Sequence, residues 1–463
     1  MFGASVSKRR VQALIAVTAT VLGGLTAVGF VGAQSAAGAA PPAERSGSGV
    51  TADALPTVQI DNGVVWSQVV VGDTVFAGGS FSNARPAGAA AGTNLTPRGN
   101  LLAYDITTGN LVQSFAPNLN GQVNAVAASP DGSRIYVGGS FTQAGVVGGA
   151  MVARGRIAAY STATGQLISS FAPSVDASVF SIVATNTTVY AGGAFSMAKG
   201  NPRARLAAFD AGTGAVLGWA PTADSMVKTM VMAPNGTHLI VGGSFAKING
   251  ATALGLASID STNGSLLSFA VTSLFKDYGA NGGIQSLSTD GTAIYGAGYA
   301  WSSPSNFEGV FSADPDTGEL NWLADCHGDA YSTYAGSDAV YVVSHEHDCS
   351  NSGGFLNNSA PDRWYRTTAF TKQITGVTGH DSSVGYADFS GKPSPSDQLV
   401  SATAGRHLHR PDPGGLVGNG QLAIRRGGWR VPVGQRHGPV RSSPLRRAGR
   451  RHQQVRPRRG RYR

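Results

Sequence analysis

The chain has 463 residues, of which 42% are hydrophobic and only 13% charged, with 64 glycines and two cysteines. That is ample apolar chain for a large packed core, and two cysteines exclude a small scaffold held by dense disulfides. The formal net charge of +9 resides in the end of the chain: from Ser401 onward there are sixteen arginines and one acidic residue, Asp412, while the rest carries 19 basic and 25 acidic side chains. A basic nucleic-acid-binding body is thereby excluded.

Lys8, Arg9 and Arg10 precede the uncharged apolar stretch VQALIAVTATVLGGLTAVGFVGA, and small residues follow it. A basic start, an apolar segment and small-residue cleavage sites mark a secretory signal, so residues 1–39 are read as an export signal. The stretch is long for a signal, which keeps an uncleaved membrane anchor as the alternative and confines any membrane contact to that segment. Residues 40–56, with PPAERSGSG, read as a flexible leader.

Between residues 57 and 400 one phrase recurs. VFAGGSF (Val75–Phe81), IYVGGSF (Ile135–Phe141), VYAGGAF (Val189–Phe195) and LIVGGSF (Leu239–Phe245) are followed by weaker copies from Ile294 (IYGAGYA) and Val340 (VYVVSHE). Steps of 46 to 60 residues signal an array of supersecondary units. A second landmark accompanies each copy: LLAYDITTGNLVQSFAP (Leu101–Pro117), RIAAYSTATGQLISSFAP (Arg156–Pro173), RLAAFDAGTGAVLGWAP (Arg205–Pro221), and looser versions at Leu256–Phe269 and Val310–Leu323. The TG or NG pair tolerates positive φ in a tight turn between two short strand-forming runs, and a third run such as QVNAVAAS lies upstream of the GG phrase.

Each period therefore holds about four short antiparallel strands and no useful amphipathic helix, the pattern of a propeller blade. The expected fold is an all-β, four-stranded-blade β-propeller with six blades in frame and a seventh disrupted after about residue 400. The paired glycines are expected where backbones crowd toward a central channel, and the following Phe between neighbouring blades. The Asp of each D-x-x-T-G phrase (Asp105, Asp210, Asp314) is expected to cap its own turn.

The sixth repeat is the least regular, and irregular loops on a rigid scaffold are where sites concentrate. It reads LADCHGDAYSTY around Cys326 and VVSHEHDCSNSGG around Cys349. Both cysteines of an exported chain fall here, and a Cys326–Cys349 disulfide is the economical reading. The same segment gathers His327, Asp329, His345, Glu346, His347 and Asp348. His345 and His347 would share one face of a strand, and with His327 they are candidate ligands for a divalent metal ion, although the spacing matches no standard zinc motif. The competing reading is a polar, disulfide-held loop. Trp364 and Tyr365, between Asp362, Arg363 and Arg366, read as a long loop that packs on the channel mouth or, alternatively, offers its aromatics as a carbohydrate platform. There is no G-x-S-x-G, H-E-x-x-H, P-loop or EF-hand loop.

The tail over 401–463 has no lysine and no strand periodicity. Shifted by one base, GGWRVPVGQRHGPVR (Gly427–Arg441) can spell AGGEFPSVNGTAQSG, close to the GGSFAKINGATAL at Gly242–Leu254. The tail is therefore read as an out-of-frame, disordered continuation of a blade that would have closed the ring and covered an exposed strand edge.

The GGxF…NG…L-A-x-D…TG…F-A-P pattern, with ADCHGD (Ala324–Asp329) and SHEHDCS (Ser344–Ser350), resembles the delta-60-type repeat β-propeller proteins exported by high-GC Gram-positive bacteria. The resemblance spans Val64 to about Asp397 and implies a secreted or cell-wall-associated propeller that serves in binding or adhesion. It supplies no catalytic residue. The expected role is a monomeric, non-catalytic binding module for an extracellular glycan or protein, without nucleic acid. The alternative is a propeller enzyme: AAFDAGTGAVLGW (Ala207–Trp219) resembles quinoprotein docking repeats, and a glycosidase or lyase would draw on Asp329, His345 or Glu346.

Overall fold

The computed structural model describes residues 55–354, 363–381 and 387–404. The export signal, most of the leader, and the tail beyond residue 404 lie outside the described residues.

The GG phrase forms the second strand of each repeat unit, between an upstream strand and the L-A-x-D strand, all antiparallel. Val64–Val71, Thr74–Ser80 and Leu101–Asp105 make the first sheet; Val123–Ala128, Arg134–Gly139 and Ile157–Ser161 the second; Val179–Ala184, Thr188–Gly193 and Leu206–Asp210 the third. The fourth sheet contains Val227–Met232, His238–Gly243, Leu256–Asp260 and Leu266–Leu267. The fifth holds Gly282–Thr289, Ile294–Ala300, Gly309–Ala313 and Leu320–Asp325, and the sixth Ala330–Ala335, Ala339–Glu346, Arg363–Thr371 and Asp397–Ala404. Short two- and three-stranded ribbons decorate these six among the described residues.

In the first three sheets the fourth strand shortens to one bridge: Tyr104 with Leu111, Tyr160 with Leu167, Phe209 with Val216. The run after the TG turn pairs once and then leaves toward Pro117, Pro173 or Pro221, which lack the N–H that a ladder needs. The turn itself is built as expected. Asp105 Oδ1 accepts the N–H groups of Thr107 and Thr108 at 3.0 and 2.7 Å, and Gly109 takes φ 67°. Asp210 and Asp314 repeat the arrangement, as does Asp260.

The larger apolar cores lie between consecutive sheets. Phe76, Leu101 and Ala103 of the first sheet pack with Val126, Val137 and Phe141 of the second. Ala125 and Tyr136 of the second pack with Val179 and Phe195 of the third. Tyr190 and Leu206 meet Val227 and Phe245, and Ile240 meets Ile284 and Phe311. The fifth and sixth sheets close over Trp322, Ala324, Val340 and Phe370. Phe141, Phe195 and Phe245 thus stand between sheets, where single sheets bury their apolar faces. Phe81 packs within the first sheet and against the short ribbon that includes Ala84.

The two glycines have separate jobs. A Cβ on the first would strike the next sheet: at Gly138 it would lie 2.5 Å from Val179 Cγ1, and at Gly192 2.7 Å from Val227 Cγ1. A Cβ on the second would strike its own neighbouring strand: at Gly139 it would lie 2.0 Å from the Gln122 carbonyl oxygen, and at Gly243 2.1 Å from that of Met226. Backbone cannot yield as a side-chain tip can. Gly139→Ala is therefore expected to cost about 1–3 kcal/mol, read as a lower urea midpoint. An unchanged midpoint would show that the strand pair tolerates the methyl.

The upstream strand of every sheet carries a β-bulge. Its extra residue is Trp66, Asn124, Phe180, Lys228, Gln285 and Tyr331 in sheets one to six. The next residue stitches the sheets together. Ser67 Oγ accepts Val126 N–H at 3.0 Å, Ser181 accepts Met230 at 2.9 Å, Thr229 accepts Leu287 at 3.0 Å and Ser286 accepts Thr333 at 3.1 Å. The second sheet has Ala125 there, and Asn124 Nδ2 bonds the Val179 carbonyl instead. These strands surround a cavity of about 80 Å³ lined by Ser67, Asn124, Phe180, Thr229 and Ser286. Antiparallel sheets whose first strands gather about one axis are the β-propeller architecture.

One expectation is corrected. Trp364 and Tyr365 do not sit in a long loop: their backbone belongs to the strand Arg363–Thr371, where Tyr365 pairs with Glu346 and Trp364 with Thr403. The run RWYRTTAFT is rich in aromatic and β-branched residues, and a free strand edge on each side recruits it. The side chains of Trp364 and Tyr365, and Asp362 altogether, lie outside the described residues.

Candidate functional site

Bulges re-aim side chains, and those of the fourth and sixth sheets send Lys228 and Tyr331 to polar groups that act on one another electrostatically. Lys228, one of the buried bulge residues, donates from Nζ to Tyr299 Oη at 2.7 Å and lies over the same ring, 4.3 Å from its centroid. Tyr331 Oη lies 2.8 Å from His345 Nδ1 and donates to Asp329 Oδ2 at 3.3 Å. The Tyr331 and His345 rings stack at 6.0 Å, and His347 meets the edge of His345 at 5.0 Å. Tyr299, Tyr331, His345 and His347 are half-buried, so one side of this aromatic group reaches solvent.

The charges beneath it are held in tension. Burial pulls the Lys228 ammonium down to about 7, with Asp329 opposing the shift. Burial pushes the Asp329 carboxyl up to about 6, against the Tyr331 hydrogen bond and the Lys228 charge. Burial disfavours both charges, and the attraction between them opposes that.

The turn bearing Asp329 is pinned from two sides. The Cys326–Cys349 disulfide is formed, and the Cys326 carbonyl accepts the N–H groups of His347 and Asp348 at 3.2 and 3.1 Å. His345 N–H donates to the Asp329 carbonyl at 2.9 Å. Gly328 lets the segments approach, since a Cβ there would lie 2.6 Å from the His345 carbonyl oxygen.

The three histidines do not converge. His327 turns away, with its Nε2 2.6 Å from Asp381 Oδ2. Among the described residues the group that could ligate a metal is Asp325, His327 and Asp381, without His345 or His347. Asp348 accepts the Ser350 N–H at 2.8 Å, a turn cap. Glu346 is fully buried, and its Oε2 accepts the hydroxyls of Ser344 and Thr368. No substrate reaches it there, which removes it from the catalytic alternative.

Sequence reading missed Lys228, Tyr299, Tyr331, Asp325 and Asp381. Lys228 had a usable signal: it occupies the register position of Trp66, Asn124 and Phe180 in the earlier repeats. Asp381 lies 56 positions after Asp325 in sequence, and only the fold joins them.

A larger cleft of about 840 Å³ opens elsewhere between the fifth and sixth sheets, lined by Asp290, Tyr295, Asn321, Tyr334, Tyr341 and Lys372. Its charges already satisfy one another: Lys372 Nζ lies 2.6 Å from Asp290 Oδ2, which also accepts the Tyr295 hydroxyl at 2.9 Å.

The sheets and their common axis define the class: the chain is a β-propeller protein. Residues 101–217 match the family described as the Rax2 C-terminal beta propeller domain. No curated protein matches the chain. Among solved structures it is similar to a computationally designed protein, Ika8, at 11% identity and TM-score 0.38, covering 72% of this chain and 96% of that one. It is also similar to U3-55K, at 10% identity and TM-score 0.43, covering 70% and 82%, and to the WD40 repeats of RRP9, at 10% and 0.42, covering 69% and 81%. The fold assignment rests on the sheets and the family match.

Proposed function

We propose that this chain is an exported, monomeric, non-catalytic binding propeller of the cell envelope, and that its ligand is a glycan. The observation that carries the reading is the half-buried, stacked ring pair of Tyr331 and His345 beside Asp329, with the buried Lys228 ammonium held on the Tyr299 ring within electrostatic reach of that carboxyl. Sugar rings offer apolar C–H faces and a rim of hydroxyls, and such a site supplies flat aromatic surface with donors and acceptors beside it. Export is supported by the basic and apolar opening of the chain and by a disulfide, which persists in oxidising compartments. Among the described residues no helix is long and apolar enough to cross a membrane.

Calorimetric titration of tag-free protein with a panel of cell-wall polysaccharides tests this. Binding is expected, weakened five- to tenfold by Tyr331→Ala, as loss of one aromatic contact of about 1 kcal/mol implies. Binding that ignores both Tyr331→Ala and Tyr299→Ala places the ligand elsewhere. Release of shortened glycan sinks the non-catalytic reading, and capture of a purified surface protein in place of any glycan makes the module a protein binder.

A further inference from the structure

The connection from the fifth sheet to the sixth holds a second group of polar side chains, distinct from the ring group above it. Asp325 ends the strand Leu320–Asp325, Cys326 is tied to Cys349, and His327 takes a left-handed backbone conformation at φ 46°. A non-glycine residue held there is strained, and the surrounding contacts hold it in place. Asp381 arrives from a separate segment of the chain. The ligating atoms of Asp325, His327 and Asp381 all lie within 4.8 Å of one another.

An independent observation concerns Asp325. The residue is 1% exposed; its Oδ1 accepts the Glu308 N–H at 3.3 Å, and its Oδ2 is buried with no hydrogen-bond partner. A buried carboxylate oxygen left so is costly, and the cost rises with more negative charge nearby. Glu308, Asp381 and Asp277 all add to that negative field. His327 Nε2 lies 2.6 Å from Asp381 Oδ2. A cation seated among the three side chains would give the Asp325 oxygen its missing partner and offset the repulsion.

The donor set selects the ion. One imidazole with two carboxylates suits a first-row divalent metal, while calcium and magnesium take oxygen ligands alone. The two sulfur atoms are in the disulfide and are not offered. Metal–ligand bonds of about 2.0–2.2 Å place donors on one ion roughly 3–4 Å apart, so the observed spread closes with small side-chain movements. We propose that Asp325, His327 and Asp381 bind one Zn²⁺ or Mn²⁺ ion, which ties the turn between the fifth and sixth sheets to the segment bearing Asp381. This site does not depend on the glycan reading.

The test uses tag-free, oxidised full-length protein stripped with EDTA and titrated separately with zinc, manganese and calcium chlorides. The expected result is one equivalent of zinc or manganese bound per chain, a raised melting temperature with that ion, and no effect of calcium. Asp381→Asn and His327→Gln should each weaken binding at least tenfold and abolish the rise in melting temperature. His380→Ala, an exposed neighbour paired with Asp388 at 2.6 Å, should leave both unchanged. Cobalt substitution adds a visible-absorption signature of a nitrogen and oxygen ligand set, lost in the same two variants. Absence of stoichiometric binding, stabilisation by calcium alone, or binding that survives Asp381→Asn would each overturn the proposal. The His327–Asp381 contact would then be an ion pair, and Asp381→Asn would lower the melting temperature equally with and without metal.

Discussion

Trp322→Ala is expected to lower stability by about 3–5 kcal/mol, the usual range for removing a fully buried large aromatic. Trp322 is 0% exposed in the core shared by the fifth and sixth sheets, between Tyr295 at 6.0 Å and Phe370 at 6.4 Å. Its Nε1–H also donates to the Lys372 carbonyl at 3.0 Å, so the alanine variant loses packing and an inter-sheet hydrogen bond together. Trp322→Phe separates the two: it keeps most of the ring and should cost about 1–2 kcal/mol more than a conservative swap, from the unpaired carbonyl and the smaller volume. In a repeat array stability is roughly a sum of unit and interface terms, so the loss should appear first in the sixth sheet. Hydrogen exchange would show early loss of protection in Ala330–Ala335 and Ala339–Glu346. Uniform loss over all six sheets would mean that the described array unfolds as one unit.

Glu346→Gln is expected to stabilise the protein by about 3 kcal/mol at pH 8 and to change it little at pH 4. Glu346 is wholly buried; burial pushes its carboxyl from the usual 4.5 up to about 7, against the pull of the Thr368 and Ser344 hydroxyls. Oε2 accepts from those hydroxyls at 2.9 and 3.0 Å, while Oε1 has no hydrogen-bond partner. In the unfolded chain the group releases its proton near 4.5, and in the folded chain it keeps it until about 7. Between those values the unfolded state binds fewer protons, so stability falls as pH rises through the window and levels off above it. Glutamine has the shape of the protonated acid and no charge to desolvate. Urea unfolding at pH 4, 6 and 8 checks this, because the difference between variant and wild type isolates Glu346 from Asp277, Asp325 and Lys228. A difference that does not grow with pH would mean that the buried group is ionised in the folded state.

The repeat was the most legible part of the chain. A turn such as Asp105–Gly109 is a local device: one carboxylate, two N–H groups and one positive-φ glycine suffice, and all lie within five residues. The same locality made the disulfide readable, because both cysteines fall in one irregular repeat of a chain expected to be exported. The paired glycines were recognised as sites of close approach, but not by what. Gly138 faces Val179 of the next sheet and Gly139 faces its own neighbouring strand, a division that depends on sheet packing.

The candidate site was legible only in outline. The sixth repeat was singled out as the irregular one, yet of its three histidines only His345 and His347 stay together, and His327 goes elsewhere. A bulge sends Tyr331 to His345, while the left-handed turn at His327 sends that ring to Asp381. Lys228 meets Tyr299 and feels the Asp329 charge because sheets four, five and six gather about one axis. What the sequence by itself determined was the repeating unit, its strands and turns, because those follow from side-chain period and backbone preference over a few residues. What only the tertiary structure decided was which polar groups share a buried space. Desolvation and charge act through distance and not along the chain, so Asp325 and Asp381 acquire their common chemistry only when the sheets close.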